Sequence, residues 1–236
     1  MQDNIEVSDT ESEKEPEFCF KLVMLGNSGV GKTSILKYEI KNTFVKNRDS
    51  TIVFEHSFKN YNIFDKTVRL QIWDTCGEEI YYSSLKNFYR SALCVIIVFS
   101  LDDKDSFNSL KKWIKDVKDN HNSEEYYLIL IGNKKDESNR LISNEEIDEF
   151  CQDNEIENYF EANAKTGENV HEIFKCLVKK LFIKYAMPIL GDTNVNKRET
   201  INNHSAKKKQ TMFIEAPENC CKTCFCYNQW KIYLKL

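Results

Sequence analysis

The sequence predicts an α/β fold, a mostly parallel six-stranded sheet flanked by helices on both faces. Three observations carry this reading. Between Phe18 and Tyr185, apolar runs of strand length alternate with stretches of helical periodicity, the pattern of a parallel sheet covered on both sides. Two of those runs, Ala92–Ser100 and Tyr126–Ile131, are continuously apolar, as strands buried on both faces are. Six of the seven glycines (Gly26, Gly29, Gly31, Gly77, Gly132 and Gly167) fall at or beside presumptive ligand loops, which suggests close backbone approach to a ligand.

The elements follow in order. Phe18–Leu25 is an apolar strand that breaks at Gly26, and Thr33–Lys41 reads as a short helix. Asn42–Thr51 is polar and irregular, and Ile52–Ile63 alternates loosely as an extended segment. Thr67–Asp74 (TVRLQIWD) alternates apolar and polar more clearly, like a half-buried strand, and Glu79–Ser91 reads as a helix. After the Ala92–Ser100 strand, Asp105–Asn120 sets Phe107, Leu110, Trp113, Ile114 and Val117 on one helical stripe. Tyr126–Ile131 is the next strand, and Asn144–Gln152 the next helix, with Ile147, Phe150 and Cys151 inward. Tyr159–Ala162 makes a short strand, and Asn169–Tyr185 a final amphipathic helix.

The three prolines, Pro16, Pro188 and Pro217, all lie outside this region, which places one domain at residues 18–187. Residues 1–17 carry seven acids and one Lys without periodicity, and are expected to be disordered. Residues 188–236 form a variable tail, polar and rich in Asn and Lys up to its cysteine cluster. From Lys184 onward the chain has nine basic and four acidic residues, although the whole carries a formal charge of −4. A basic tail suits an anionic partner such as a membrane surface.

Nine cysteines are too few and too scattered for a disulfide framework. Five (Cys19, Cys76, Cys94, Cys151 and Cys176) stand singly, where a reduced Cys acts as a small apolar side chain. With no secretory signal at the N-terminus, a reducing cytosolic setting is expected. The longest apolar run, Ala92–Phe99, is far short of a bilayer span. His56, His121, His171 and His204 lie far apart without metal-ligand spacing.

The chemistry starts between the first strand and the first helix. Gly26, Gly31, Lys32 and Thr33 match the phosphate-binding loop G-x-x-x-x-G-K-[ST]. Such a loop turns successive main-chain N–H groups inward on a polyphosphate, here from Asn27, Ser28, Gly29, Val30, Gly31, Lys32, Thr33 and Ser34. The helix that follows points its positive end at the same charge. Lys32 can reach the β- and γ-phosphates, and the Thr33 hydroxyl can ligate Mg²⁺.

Two further motifs close strands. WDTCGEE (Trp73–Glu79) puts Asp74 where an acid can hold a Mg²⁺-bound water, and leaves the Gly77 N–H open to a terminal phosphate. GNKKD (Gly132–Asp136) follows a buried strand. There the Asp136 carboxylate can accept from both the ring N–H and the exocyclic amine of guanine, a donor pair that adenine lacks. Asn133 would tie the loops together, and the Lys134 stem would lie along the base. EANAKTG (Glu161–Gly167) follows the short strand, and its Ala164 N–H could donate to the guanine carbonyl.

In this order and spacing, the motifs resemble those of the Ras superfamily of small GTPases, and most closely its Rab branch, from Phe18 to about Tyr185. RLQIWDTCGEE resembles the Rab pattern K-L-Q-I-W-D-T-A-G-Q-E, and FYRSA (Phe88–Ala92) resembles Y-Y-R-G-A. The resemblance implies a P-loop NTPase, a GTP/GDP switch in vesicle trafficking that hydrolyses GTP to GDP and phosphate with Mg²⁺. Thr51 resembles the switch threonine that joins Mg²⁺, beside Thr33 and Asp74, only when the γ-phosphate is present. Phe44 resembles the aromatic that stacks on guanine, and NAK (Asn163, Ala164, Lys165) resembles S-A-K. Glu78 and Lys32 are the candidate catalytic residues. The implied partners are an exchange factor, a GTPase-activating protein and effectors, meeting Asn42–Ile63 and Gly77–Ser91. A monomer with no nucleic-acid partner is expected.

Four positions depart from the pattern. Glu78 stands where relatives usually have the Gln that orients attacking water. A carboxylate facing an anionic γ-phosphate predicts slow or altered hydrolysis. IVFEH (Ile52–His56) replaces I-G-V-D-F, the segment that Rab partners read. Asn163 replaces the Ser of S-A-K. Finally, Rab chains typically end in a doubly prenylated Cys pair, whereas CCKTCFC (Cys220, Cys221, Cys224, Cys226) is followed by ten residues, YNQWKIYLKL. The last four, YLKL, offer no Cys for C-a-a-X prenylation. Lipidation after trimming, palmitoylation, zinc binding and no modification all remain open for the cluster. Its spacing is cramped for zinc.

Three functions therefore compete: a hydrolysing Rab-like switch, peripheral on the cytosolic face of an intracellular membrane if lipidated; a GTP-loaded interaction module with little turnover; and a P-loop small-molecule kinase. The last should lack a guanine-reading N-K-x-D.

Overall fold

The computed structural model describes residues 6–10, 15–44, 54–75, 91–121, 126–135, 139–190, 212–214 and 233–234. The described strands are β1 (Val7–Asp9), β2 (Phe18–Leu25), β3 (Phe54–Ile63), β4 (Lys66–Thr75), β5 (Cys94–Ser100), β6 (Tyr127–Asn133), β7 (Tyr159–Glu161), β8 (Met212–Ile214) and β9 (Tyr233–Leu234). The described helices are α1 (Lys32–Lys41), α2 (Lys104–Asn108), α3 (Leu110–Asn120), α4 (Asn144–Asp153) and α5 (Val170–Leu181).

One sheet runs in the order β1-β3-β4-β2-β5-β6-β7. From β4 to β7 every pairing is parallel; β3 is antiparallel to β4, and β1 to β3. The six longer-range strands match the expectation, and β1, β8 and β9 add to them. β8 lies parallel to Phe18–Phe20 and carries β9.

The period of the buried strands divides the interior in two. On β5, Cys94, Ile96 and Val98 face a core shared with α1 and α5. The intervening Val95, Ile97 and Phe99 face a second core filled by Phe107 of α2, by Leu110, Trp113, Ile114 and Val117 of α3, and by Ile147 and Phe150 of α4. Each helix thus buries its apolar stripe on one face of a sheet that is apolar on both, as the uninterrupted runs require. The carboxyl ends of β2, β4, β5, β6 and β7 consequently open on a single edge.

Three boundaries differ from the sequence-based expectation. Residues 1–17 were expected to be without structure, yet Val7–Asp9 forms β1, with Val7 packed on the core. Glu17 also pairs with Lys66 at 2.7 Å. The edge of β3 presents unpaired N–H and C=O groups to whatever chain lies alongside, a demand that composition does not register. The 105–120 helix is two helices meeting at Ser109, whose hydroxyl bonds back to the Asp105 carbonyl at 2.8 Å. The last helix does not stop at Tyr185. It passes through a π-turn at Phe182–Ala186 and continues over 187–190, so that Ile189 and Leu190 also reach the core. Pro188, inside this extension, has no N–H to give to the helical ladder.

The expected helix at Glu79–Ser91, apart from Ser91, lies outside the described residues, as does most of the irregular stretch up to Val53. Among the described residues, no helix is long and apolar enough to cross a membrane.

Candidate functional site

The site is built where β2 gives way to α1. Gly26 is buried at φ 131, and a Cβ there would stand 2.0 Å from the Val98 carbonyl oxygen of β5. Only a residue without a side chain lets the loop leave β2 this close to its neighbour. Gly31, at φ 100, is equally constrained: a Cβ would lie 2.1 Å from Asn133 Nδ2. Gly31 is also the N-cap of α1, so no side chain caps the first turn of that helix. Cradle and helix end thus face the same space, as an anion site requires.

Lys32 folds its buried stem across the loop, and its ammonium donates to the carbonyls of Gly26 and Asn27, both at 2.8 Å. The Thr33 hydroxyl donates to Asp74 Oδ2 at 2.5 Å, joining α1 to the end of β4. Asp74 itself is fully buried, and its Oδ1 has no hydrogen-bond partner among the described residues. Burial pushes the Asp74 carboxyl up to about 6, against the opposing pull of the Thr33 hydrogen bond and the Lys32 charge. A buried carboxylate oxygen without a partner beside a hydroxyl is the donor set that a hard cation takes, so the residues fit Mg²⁺.

The loop is held from two sides. On one, Asn27 Oδ1 accepts from the Trp113 indole N–H (2.9 Å), while Asn27 Nδ2 donates to the Ser109 hydroxyl (3.0 Å). On the other, Asn133 Nδ2 donates to the Val30 carbonyl at 2.8 Å, as expected of a residue that ties the loops together. Asn133 Oδ1 accepts from the Ala164 N–H at 3.1 Å. That last bond changes an expectation, because this N–H was assigned to a base carbonyl and is instead engaged by Asn133.

The loop after β7 is internally braced. Asn163 Oδ1 accepts from the N–H groups of Lys165 (3.0 Å) and Thr166 (3.2 Å), so Asn replaces Ser without loss of a turn-forming acceptor. Lys135 N–H donates to the Ala162 carbonyl at 3.2 Å, a further link between the loops after β6 and β7. Lys134 adopts φ 64 at the end of β6, and its ammonium meets Asp102 at 3.3 Å. Burial alone would raise the Asp102 carboxyl, but bonds from Ser100 and Lys134 outweigh it and hold the group below its ordinary value. Phe44, just beyond α1, is 39% exposed.

The structure therefore brings together the loop from Asn27 through Ser34, Asp74, Asn133, Lys134, Asn163, Ala164 and Lys165 along one edge of the sheet. Thr51, Gly77, Glu78, Asp136 and the cysteines Cys220, Cys221, Cys224 and Cys226 lie outside the described residues. Sequence reasoning missed two sets of supporting residues. Trp113 was read only as part of an apolar stripe, and its indole N–H could not be assigned a partner 86 positions away. Glu39, four residues after Ile35 on the buried stripe of α1, did carry a signal: a carboxylate at a core position needs partners.

Comparison with known proteins agrees with this geometry. Residues 21–183 match the model of the Ras family. The chain is 40% identical over 169 residues to the Ras-related protein Rab-2B of Dictyostelium discoideum, covering 71% of this chain and 83% of that one. It is 37% identical over 175 residues to Rab-12 of Mus musculus (74% and 72% covered). It is 35% identical over 179 residues to Rab-4A of Homo sapiens (75% and 81% covered). The phosphate loop, its metal-fitting acid and the Asn133 tie thus sit in a chain that belongs to the Ras family of small GTPases, within the branch of GTP-binding Rab proteins.

Proposed function

We propose that this protein is a GTP/GDP switch acting in intracellular membrane trafficking, and that it hydrolyses GTP slowly. The observation that supports it most is the arrangement of Lys32, Thr33 and Asp74 around one loop, with an orphaned carboxylate oxygen at its floor. In this reading the amides of Asn27–Ser34 grip the diphosphate, and Lys32 exchanges its two loop carbonyls for β- and γ-phosphate oxygens. Thr33 and Asp74 would hold Mg²⁺, with Thr51 joining in the GTP form, and the ion would supply positive charge beside the phosphates. Asp136 selects guanine through its two N–H donors, Phe44 stacks on the ring, the Lys134 stem lies along it, and Asn163, Ala164 and Lys165 line its far side.

The γ-phosphate holds Thr51 and Gly77, and its loss releases the chain around Thr51, ahead of β3, and Gly77–Ser91 to partners that tell the two states apart. Effective switching needs a differential of roughly 5 kcal/mol between the states. Glu78 supports a second reading, a GTP-loaded module with little turnover, because its charge opposes that of the γ-phosphate. The tail, with Lys207–Lys209 near the cysteine cluster, supports membrane attachment by lipidation after trimming or by palmitoylation. Mass spectrometry of native protein showing four bare thiols and an intact end would remove that part.

The decisive experiment identifies the nucleotide that co-purifies with the full chain and compares GDP with ADP as competitors. Guanosine nucleotide, displaced at least about 10⁴-fold more weakly by ADP, is the expected result. Equal displacement by both sinks the reading.

A further inference from the structure

The carboxylate of Glu39 is fully buried near the end of α1, on the face that also buries Ile35 and Leu36. A charge in such a place is costly unless its lone pairs are met. Here they are. Glu39 Oε1 accepts from Lys59 Nζ (2.7 Å) and from the Tyr61 hydroxyl (2.6 Å). Glu39 Oε2 lies 2.7 Å from His171 Nδ1, and since a carboxylate only accepts, Nδ1 is the donor.

His171 reaches further. Its Nε2 faces a second acceptor, Asn42 Oδ1 at 3.1 Å, so the ring bridges the two with a proton on each nitrogen, and its ring centre is 5.7 Å from that of Tyr38. The Tyr38 hydroxyl in turn donates to the Thr166 carbonyl at 3.1 Å, and its ring fills the space that a side chain on Gly167 would need. Asn42 closes α1 in the left-handed region at φ 52, two residues before Phe44. His171 is the second residue of α5, which begins at Val170, with two residues between it and the loop 163–167. One imidazole therefore bridges the two segments on either side of the base position. Nothing in the proposed chemistry uses it.

We infer that His171 and Glu39 form a clamp that positions Phe44 against the 163–167 loop and so sets how long a guanine nucleotide is retained. The inference rests on the reading of this edge as the guanine site. Without the clamp, the end of α1 is free to fray, and a ring that is not held in place gives less of its stacking energy to the base. Lys59 extends the clamp to the N-terminal strand, because its ammonium also meets Asp9 at 2.9 Å and the Glu39 carbonyl at 2.8 Å. His171 and Glu39 are positioning residues, not catalytic ones.

The test uses the full chain with Mg²⁺, loaded with ribose-labelled fluorescent GDP and chased with excess GDP. His171→Ala should release the label about tenfold faster, the size expected for one lost charge-assisted bond. His171→Asn, whose Nδ2 can stand in for Nδ1, should stay within about twofold of the parent. In a Phe44→Ala background, His171→Ala should change release by less than about twofold, because the clamp acts through the ring. An unchanged rate in His171→Ala, or a full tenfold effect without Phe44, overturns the clamp. If His171→Ala does not fold, Glu39→Gln is judged by the same criteria. Failure of the unaltered chain to retain any labelled GDP refutes the nucleotide reading instead.

Discussion

Asn133 Nδ2 donates to the Val30 carbonyl at 2.8 Å, so the strand end assigned to the base is fastened directly to the loop assigned to phosphate. The bond crosses 103 residues and is buried. Asn133 Oδ1 takes the Ala164 N–H, so one amide side chain fixes three loops. Asn133→Ala leaves the Val30 carbonyl and the Ala164 N–H without this partner, and should cost about 1–3 kcal/mol of stability. A fall in melting temperature with faster GDP release is expected. Equal melting curves would remove the structural part of the argument.

Gly31 is the steric counterpart of that bond. Gly31→Ala places a methyl 2.1 Å from Asn133 Nδ2 at a backbone angle suited to glycine. The combined strain and lost tie should exceed about 1 kcal/mol. Here the check is guanine nucleotide affinity by calorimetry, which should fall at least about tenfold.

Trp113 is a more selective probe. Trp113→Phe keeps most of the apolar volume in the second core but removes the N–H that Asn27 Oδ1 accepts. A loss of about 1 kcal/mol in stability is expected, with a modest rise in nucleotide release. A variant that melts lower yet releases GDP at the parent rate would confine Trp113 to packing.

Asp74 should show opposite effects on stability and metal response. Asp74→Asn removes a buried charge with an unpartnered oxygen, so the metal-free protein should melt no lower than the parent. Mg²⁺, however, should no longer slow nucleotide release in the variant. Titration of release against Mg²⁺ and chelator decides this, and an unchanged metal response would move the cation elsewhere.

Glu78→Gln tests the slow-hydrolysis proposal. With the carboxylate replaced by a neutral amide, single-turnover GTP hydrolysis should accelerate by about tenfold or more, as electrostatic repulsion from the γ-phosphate is relieved. Identical rates would remove the slow-hydrolysis proposal, and with it the main support of the second reading, a module with little turnover.

Much of this was legible in the sequence because it depends on short-range patterning. The apolar runs of β5 and β6 had to be doubly buried strands, and the stripe from Phe107 to Val117 had to cover one face of them. Gly26, Gly31, Lys32 and Thr33 are adjacent in the chain, so their chemistry could be read from spacing alone. The β1 strand could not, since an edge pairing depends on what β3 leaves uncovered and not on the acidic composition of its own segment.

The sequence by itself determined the sheet, its helices and the identity of the phosphate loop, because periodicity and contiguous residues encode local geometry. Only the tertiary structure decided how the loops are locked: Trp113 to Asn27, Asn133 to Val30 and Ala164, and His171 to Glu39 and Asn42. Each of these bonds joins a side chain to a group that is remote along the chain, and hydrogen-bond partners of that kind are set by where the folded elements bring their ends together.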